Sequence, residues 1–198
     1  MNKSLIRFFD VLFSFSGLII LSPFLLFFSL LILLDSRGGI FYRQVRVGRN
    51  NRDFMLWKFR TMKTGADKSG FITIGEKDPR ITRIGYFLRR YKLDELPQLL
   101  NVLSAKMSMV GPRPEVRKYV NLYSPEQMKV LEVKPGITDL ASIEYANENE
   151  LLGKSEIPDK TYVEEIMPAK LKLNMEFIQR PTLKNYFRII FKTLRKIL

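Results

Sequence analysis

The chain has 198 residues, a formal charge of +13 and 27% charged side chains, with neither cysteine nor histidine. That excludes a disulfide framework, thiol nucleophiles, Ser-His-Asp hydrolysis, histidine general bases and Cys/His zinc sites. Any chemistry must come from carboxylates, Lys, Arg, Tyr, hydroxyls or an oxygen-bound metal, and the positive excess suits anionic lipid or phosphorylated substrates.

Val11 to Leu34 carries no charged side chain; its polar residues are Ser14, Ser16, Ser22 and Ser29. As one helix it would rise about 36 Å, enough to cross the ~30 Å hydrocarbon layer. Ser22-Pro23 lies near its middle. Proline has no N–H and crowds the carbonyl four residues back, that of Ile19, so a bend or break is predicted there, with the Ser22 hydroxyl placed to help satisfy a freed carbonyl. Lys3 and Arg7 precede the run, and Arg37, Arg43, Arg46, Arg49 and Arg52 follow it. Basic flanks on both sides favour a re-entrant helix with both ends cytoplasmic over a single crossing, although a kinked spanning helix has the same composition.

Ile40–Val47 and Phe54–Phe59 read as strands, and Gly48–Asp53 between them has turn chemistry, which predicts a hairpin. Gly65 to Asp78 reads as a mobile loop. Ile81, Ile84 and Leu88 have helical spacing and are expected to pack inward.

Arg80 to Arg113 is the densest chemical stretch. Arg83, Arg89, Arg90 and Lys92 precede Asp94-Glu95, and nearby cations are expected to hold a carboxylate ionised with a depressed pKa. Such a group can attack phosphorus or hold Mg²⁺. Two readings stay open from spacing alone. The pair is catalytic, or it is an acidic helix start with Pro97 in the first turn. On a regular helix adjacent residues point about 100° apart, so joint action requires a non-helical start. Gly111-Pro112-Arg113-Pro114 is a rigid turn presenting Arg113, whose planar fork suits phosphate or simply solvent.

Ser124-Pro125-Glu126-Gln127 is a capping box opening a helix through Val133, and Thr161 to Glu164 is a second. The helical sequence after it is expected to be interrupted near Pro168, with Leu171, Met175 and Ile178 as an inward stripe. Thr182 to Leu198 is a basic amphipathic helix, suited either to anionic lipid or to packing on the domain with solvated lysines.

Several motifs occur in one order: Ser22-Pro23, Lys58-Phe59-Arg60-Thr61-Met62, Leu93-Asp94-Glu95-Leu96-Pro97-Gln98-Leu99, Asn101-Val102-Leu103, Met107-Ser108, Val110-Gly111-Pro112-Arg113-Pro114 and Lys134-Pro135-Gly136-Ile137-Thr138. In these the chain resembles the bacterial sugar transferases, specifically the small monotopic phosphoglycosyl transferases, over about Lys3 to Ala141. The resemblance implies an α+β fold with a re-entrant membrane helix (1–37), a cytoplasmic catalytic domain (38–181) and an amphipathic surface helix (182–198). It implies transfer of a phospho-sugar from a nucleotide-diphosphate sugar, usually a UDP-sugar, to polyprenol phosphate such as undecaprenyl phosphate, through a covalent intermediate and with UMP released. Asp94 would be the nucleophile and a Mg²⁺ ligand, and Glu95 its acid/base or positioning neighbour. Lys58, Arg60, Arg89 and Arg113 would meet the phosphates. The partners implied are the lipid bilayer of the bacterial inner membrane and the two substrates, with a homodimer compatible and no nucleic acid.

The chain departs from the family pattern after Thr138, with Asp139-Leu140-Ala141-Ser142 and Glu144-Tyr145-Ala146-Asn147; Asp139 is either a functional replacement or a surface acid, and the surface acid is the simpler expectation. Two other readings remain. A conventional glycosyltransferase would release UDP and is expected to carry a D-x-D pair, which this sequence lacks. A non-enzymatic basic membrane module would not need Asp94.

Overall fold

The computed structural model describes residues 3–66, 78–179 and 181–197. It is an α+β arrangement. Most of the expected Gly65–Asp78 loop, 67–77, lies outside the described residues.

Helix α1 is Lys3–Asp35. Its serines are satisfied within the helix: Ser14, Ser16 and Ser29 donate to the carbonyls of Asp10, Leu12 and Leu25 at 2.6–2.7 Å. The predicted break at Ser22-Pro23 is not an interruption, because the chain stays helical through Pro23. The Ile19 carbonyl, which proline cannot serve, accepts the Ser22 hydroxyl at 2.8 Å, and that bond offsets the lost backbone donor.

Both arms of α1 pack on the rest of the protein. On the first arm, Ile6 is buried with Val110, Phe177, Tyr186 and Ile189, and on the second, Phe28 and Ile32 are buried with Phe59 and Leu88. Between them Ile19, Ile20, Phe24, Leu26 and Phe27 are exposed.

Strands β1 (Phe41–Val47) and β2 (Asp53–Phe59) form the expected antiparallel hairpin, in register from Phe41↔Phe59 to Val47↔Asp53. Asn50 and Asn51 take the left-handed conformation that the tight turn requires, at φ 57° and 58°, a conformation asparagine tolerates better than most residues. Helix α2 (Arg83–Arg90) is capped by Thr82, whose hydroxyl accepts from Gly85 N at 3.1 Å. Leu88 is fully buried and Ile84 half-buried in the same cluster, as their spacing predicts. A 3₁₀ turn at Leu93–Glu95 then leads through Pro97 into α3 (Gln98–Leu103).

Strand β3 (Ser108–Val110) pairs in parallel with β4 (Gly136–Thr138). The two backbones approach so closely that a Cβ on Gly136 would lie 2.1 Å from Gly111 N, so glycine is required there. Between these strands come α4 (Arg117–Val120) and a 3₁₀ stretch, Gln127–Glu132. The Ser124 capping box is made, with Gln127 N donating to Ser124 Oγ at 3.3 Å and Ser124 N to Gln127 Oε1 at 2.8 Å, although the turn it opens is 3₁₀ rather than α.

Helices α5 (Leu140–Glu144), α6 (Glu148–Gly153) and α7 (Pro158–Thr161) follow. Next come a π segment, Tyr162–Ile166, and α8, Met167–Gln179. The box predicted at Thr161 does not form, and Pro168 does not interrupt the helix. The widened π turn just before it gives the proline ring room that a regular α turn would deny. Leu171, Met175 and Ile178 face the core as expected.

Helix α9, Leu183–Ile197, buries Tyr186 and Ile189 completely in the domain. The C-terminal helix is thus packed on one face, not only laid on a surface. Phe191 and Leu194 remain exposed, and Phe187 meets Phe9 and Phe13 of α1 edge-on. A buried carboxylate ties these parts together: Asp10 Oδ1 accepts from Ser108 Oγ, Met109 N and Tyr186 OH at 2.8–2.9 Å.

Candidate active site

Asp94 and Glu95 sit on the 3₁₀ turn, preceded by Lys92 in the left-handed conformation at φ 56°. This is the non-helical start that joint action demands, and a bulky side chain in that region marks a strained position. Asn101 fixes the turn against the hairpin: its amide accepts from Trp57 N at 3.0 Å and donates to the Met55 carbonyl at 2.8 Å. Arg7 of α1 donates to the carbonyls of Val102 and Leu103 at 2.7 and 2.9 Å, capping the end of α3, where a cation complements the helix dipole.

The hairpin thereby brings Lys58 to Glu95, Nζ to Oε1 at 2.8 Å. From the opposite side Arg113 engages both Glu95 oxygens, with one terminal nitrogen 3.0 Å from Oε2 and the other on Oε1. The Arg113 backbone is held in turn, its N–H donating to Asp139 Oδ2 at 2.9 Å. Asp139 is fully buried and also caps α5 through Ser142 N. It is no surface acid. The residue beginning the divergent segment anchors the turn that presents Arg113.

Asp94 is buried too, but among the described residues no hydrogen bond or ion pair holds its carboxylate. Burial pushes its pKa up, Lys58 opposes that, and the Glu95 charge adds to it, with Arg89 and Lys92 opposing. For Glu95, burial also acts upward, but Arg113 and Lys58 together outweigh it and hold the carboxyl well below its ordinary range. The depressed pKa expected for the pair therefore belongs to Glu95 alone. Lys58 is lowered by burial against the pull of Glu95. Arg113 is raised, first by Glu95.

The structure treats the four cations predicted to meet phosphate differently. Lys58 and Arg113 join at Glu95. Arg89, at the end of α2, acts on Asp94 by charge and keeps a buried terminal nitrogen without a partner. Arg60 is directed elsewhere: its guanidinium donates to the carbonyls of Ile32, Ser36 and Arg37, with 3.3 Å to the first and 2.7 Å to the second. It caps α1, which is the opposite of the substrate contact expected of it. Lys58 and Arg60 share one motif, but the strand ends at Phe59, so Arg60 leaves the sheet face that Lys58 occupies.

No cluster of three or more acidic ligands occurs among the described residues. Mg²⁺ commonly takes one or two carboxylates and completes its shell with phosphate oxygens and water. A buried, unbonded Asp94 whose ionisation needs a nearby cation fits an ion of that kind. A cavity lined by Arg113, Glu115, Tyr123 and Asn174 is about 20 Å³ and too small for a sugar.

A buried aspartate free of bonds, an arginine and a lysine on its neighbour, and a long apolar helix whose Arg7 caps the adjoining α3 fit a membrane-associated enzyme acting on phosphorylated groups. The bacterial sugar transferase family model matches residues 1–198, and the chain belongs to that family. It is 40% identical over 200 residues to an exopolysaccharide production protein of Rhizobium leguminosarum, covering 98% of this chain and 94% of that one. It is 50% identical over 109 residues to a putative undecaprenyl-phosphate N-acetylgalactosaminyl 1-phosphate transferase of Bacillus subtilis, covering 55% and 61%. It is 34% identical over 199 residues to the UDP-glucose:undecaprenyl-phosphate glucose-1-phosphate transferase of Escherichia coli, covering 98% of this chain but 40% of that one.

Proposed function

We propose that the protein transfers a sugar 1-phosphate from a UDP-sugar to undecaprenyl phosphate, yielding polyprenyl-diphospho-sugar and UMP as a membrane step of polysaccharide synthesis. The observation that carries the reading is the division at Asp94-Glu95: one carboxylate fully engaged, its neighbour buried and unbonded beside Lys58, Arg89 and Lys92. The similarity to named undecaprenyl-phosphate transferases supports the substrate classes.

An Asp94 oxygen attacks the sugar-bearing phosphorus, and the bond from that phosphorus to the UMP oxygen breaks. The phospho-sugar is then held as an acyl phosphate on Asp94. A phosphate oxygen of the polyprenol attacks the same phosphorus, and the Asp94–phosphorus bond breaks. Glu95 positions rather than attacks, since both its oxygens are occupied; it holds Lys58 and Arg113 at fixed places for phosphate oxygens. Arg89 offers an unpaired buried nitrogen to the same charge. Asp94 is the residue that would hold Mg²⁺, which would supply positive charge against the charge developing on the phosphates.

The membrane reading rests on α1. Arg7 and Asp10 near one end and Asp35 at the other all bond to the same domain, the last through Ile84 N at 3.0 Å. A helix crossing a ~30 Å hydrocarbon layer would leave those ends on opposite sides, whereas one that enters and returns keeps both with the domain. The basic flanks support a domain on the cytoplasmic face of the inner membrane. An open apolar groove between α1 and α2, lined by Pro23, Phe24, Phe27, Phe28, Leu31, Ile84 and Phe87, suits an isoprenoid chain approaching the site.

The test is to incubate purified protein with UDP-sugars, Mg²⁺ and undecaprenyl phosphate, and to identify the nucleotide released, with Asp94→Asn alongside. Mg²⁺-dependent UMP release, lost in the variant, is expected. UDP release would replace the reading with direct glycosyl transfer, and no nucleotide from any donor would favour a non-enzymatic module.

A further inference from the structure

The hairpin turns its apolar side outward. A sheet packed on one face normally hides its apolar residues and shows the polar ones to water. Phe54 and Leu56 do pack inward, on Val102 and Met107, but the same inner face carries Tyr42, Gln44, Arg46 and Lys58, all half-buried. The outer face consists of Phe41, Arg43 and Val45 of β1 with Met55 and Trp57 of β2, paired Arg43↔Trp57 and Val45↔Met55. Phe41, Val45 and Met55 are 42%, 50% and 47% exposed, and Trp57 is half-buried. Single exposed apolar side chains are ordinary, whereas a contiguous block of them marks a contact surface.

This face continues onto the membrane helix. Phe41 stacks on Phe59, with centroids 5.6 Å apart and planes 10° from parallel, and Phe59 is buried with Phe28 and Ile32 of α1. The same arm of α1 exposes Leu26, Leu30, Leu33 and Leu34. One aromatic stack thus joins the outer hairpin face to the apolar arm.

The chemistry of the face matches the level at which lipid chains meet headgroups. Trp57 meets the Phe41 ring edge-on at 5.5 Å, and the Arg43 guanidinium lies 5.4 Å from the Trp57 ring centroid. Tryptophan favours that boundary, and arginine lays its stem on apolar surface while its head reaches phosphate. Arg43 is the one charge in the block, which holds no carboxylate; that suits an anionic lipid surface. A second copy of the chain fits less well. A two-fold dimer sets like patch on like patch, and the two Arg43 side chains would find no carboxylate there.

We infer that the outer face of the β1–β2 hairpin rests on the bilayer surface, with Phe41, Val45, Met55 and Trp57 at the acyl boundary and Arg43 at lipid phosphates. The inference rests on the membrane reading of α1 above. Lys58 leaves the opposite face of the same strand toward Glu95, so a single sheet separates the headgroups from a cation of the site.

Trp57 is the single tryptophan of the chain, so its fluorescence reports on this face. The full-length protein is reconstituted into phosphatidylcholine–phosphatidylglycerol vesicles whose acyl chains carry bromine either just below the headgroup or near the bilayer centre. Flotation recovers the membrane-bound fraction. Trp57 in that fraction should lose emission to shallow bromine and less to deep bromine. Val45→Trp in a Trp57→Phe background should do the same, since both positions lie on one face. Emission equal in brominated and unbrominated vesicles, quenching by deep bromine as strong as by shallow, or quenching at only one of the two positions would overturn the inference. Emission untouched by bromine and also protected from aqueous iodide would overturn it in favour of a second copy. Protein that does not float with the vesicles removes the membrane reading and this inference together; protein that floats with Trp57 unquenched removes the inference alone.

Discussion

Arg113 closes on Glu95 through both terminal nitrogens, and Lys58 reaches the same carboxylate from the hairpin. With Arg89 and Lys92 beside Asp94, four cations face two carboxylates, so the site stays net positive after its internal pairing is complete, as suits two polyanionic substrates. Arg113→Ala leaves Lys58 to hold Glu95 alone. Breaking a fully buried pair costs roughly 3–5 kcal/mol. With Arg113 35% exposed, a loss near 2 kcal/mol is expected, read by denaturant unfolding, together with a large fall in UMP release.

Asp94→Asn should behave in the opposite way toward stability. The native carboxylate is buried without a hydrogen bond, so a neutral amide of the same shape removes a desolvated charge. UMP release should fall at least about a thousandfold, a change of roughly 4 kcal/mol in barrier, while the melting temperature stays level or rises. A marked drop in melting temperature would mean that Asp94 is structural.

The two acids should also part company with pH in the ligand-free protein. Asp94 has a folded pKa above its ordinary value. The folded state therefore binds that proton more tightly, and stability is lost as pH rises from about 4 through the folded pKa. The advantage of Asp94→Asn should open over that window. Glu95 has a folded pKa well below its ordinary value, so its contribution is present above about 4.5 and lost as pH falls toward the folded pKa. Glu95→Gln should accordingly be destabilising at neutral pH and converge on wild type in acid. Unfolding midpoints of the three proteins across this range check both signs.

Arg60→Met should lower the melting temperature, because three carbonyls at the end of α1 lose a charged donor, each such bond contributing about 1.5–3 kcal/mol. The donor KM of the folded fraction should stay within about twofold. A selective rise in donor KM with unchanged stability would restore Arg60 to the phosphate site.

Single cysteines in place of Ser4 and Arg37, in this otherwise cysteine-free chain, test the topology. A membrane-impermeant thiol reagent applied outside intact cells should label neither, and both should react once the membrane is opened. Labelling of one alone from outside would establish a crossing.

The hairpin was legible because its strands are bounded by Gly48 and Asp53 and its turn carries asparagines able to take positive φ. The Leu88 face was legible for the same local reason. From residue spacing alone the roles of Asp94 and Glu95 were not, and only the family resemblance assigned them. They depend on Lys58, 37 residues from Glu95, and Arg113, 18 residues away, and two neighbours in sequence cannot announce which of them a remote cation will choose. Asp139 was misjudged likewise: an aspartate before a helix looks solvated until the N–H groups it serves are brought to it. Arg60, expected at the phosphates, bonds carbonyls at the end of α1 that its own motif does not reveal. Pro168 was read as a helix interruption, but a π turn absorbs it; at Pro23 the chain stays helical, with the Ser22 hydroxyl on the Ile19 carbonyl as its position suggested.

Asp10 carries a practical consequence. It belongs to the membrane helix, yet its carboxylate joins that helix to β3 and α9, while Ile6, Phe28 and Ile32 fill two of the interior clusters. A soluble catalytic fragment cannot be obtained by trimming away the first 35 residues, since the cut would pass through the protein's own interior and leave Tyr186, Phe59 and Leu88 facing water. Anchor and enzyme are one folding unit, and handling the enzyme means keeping it in lipid or detergent.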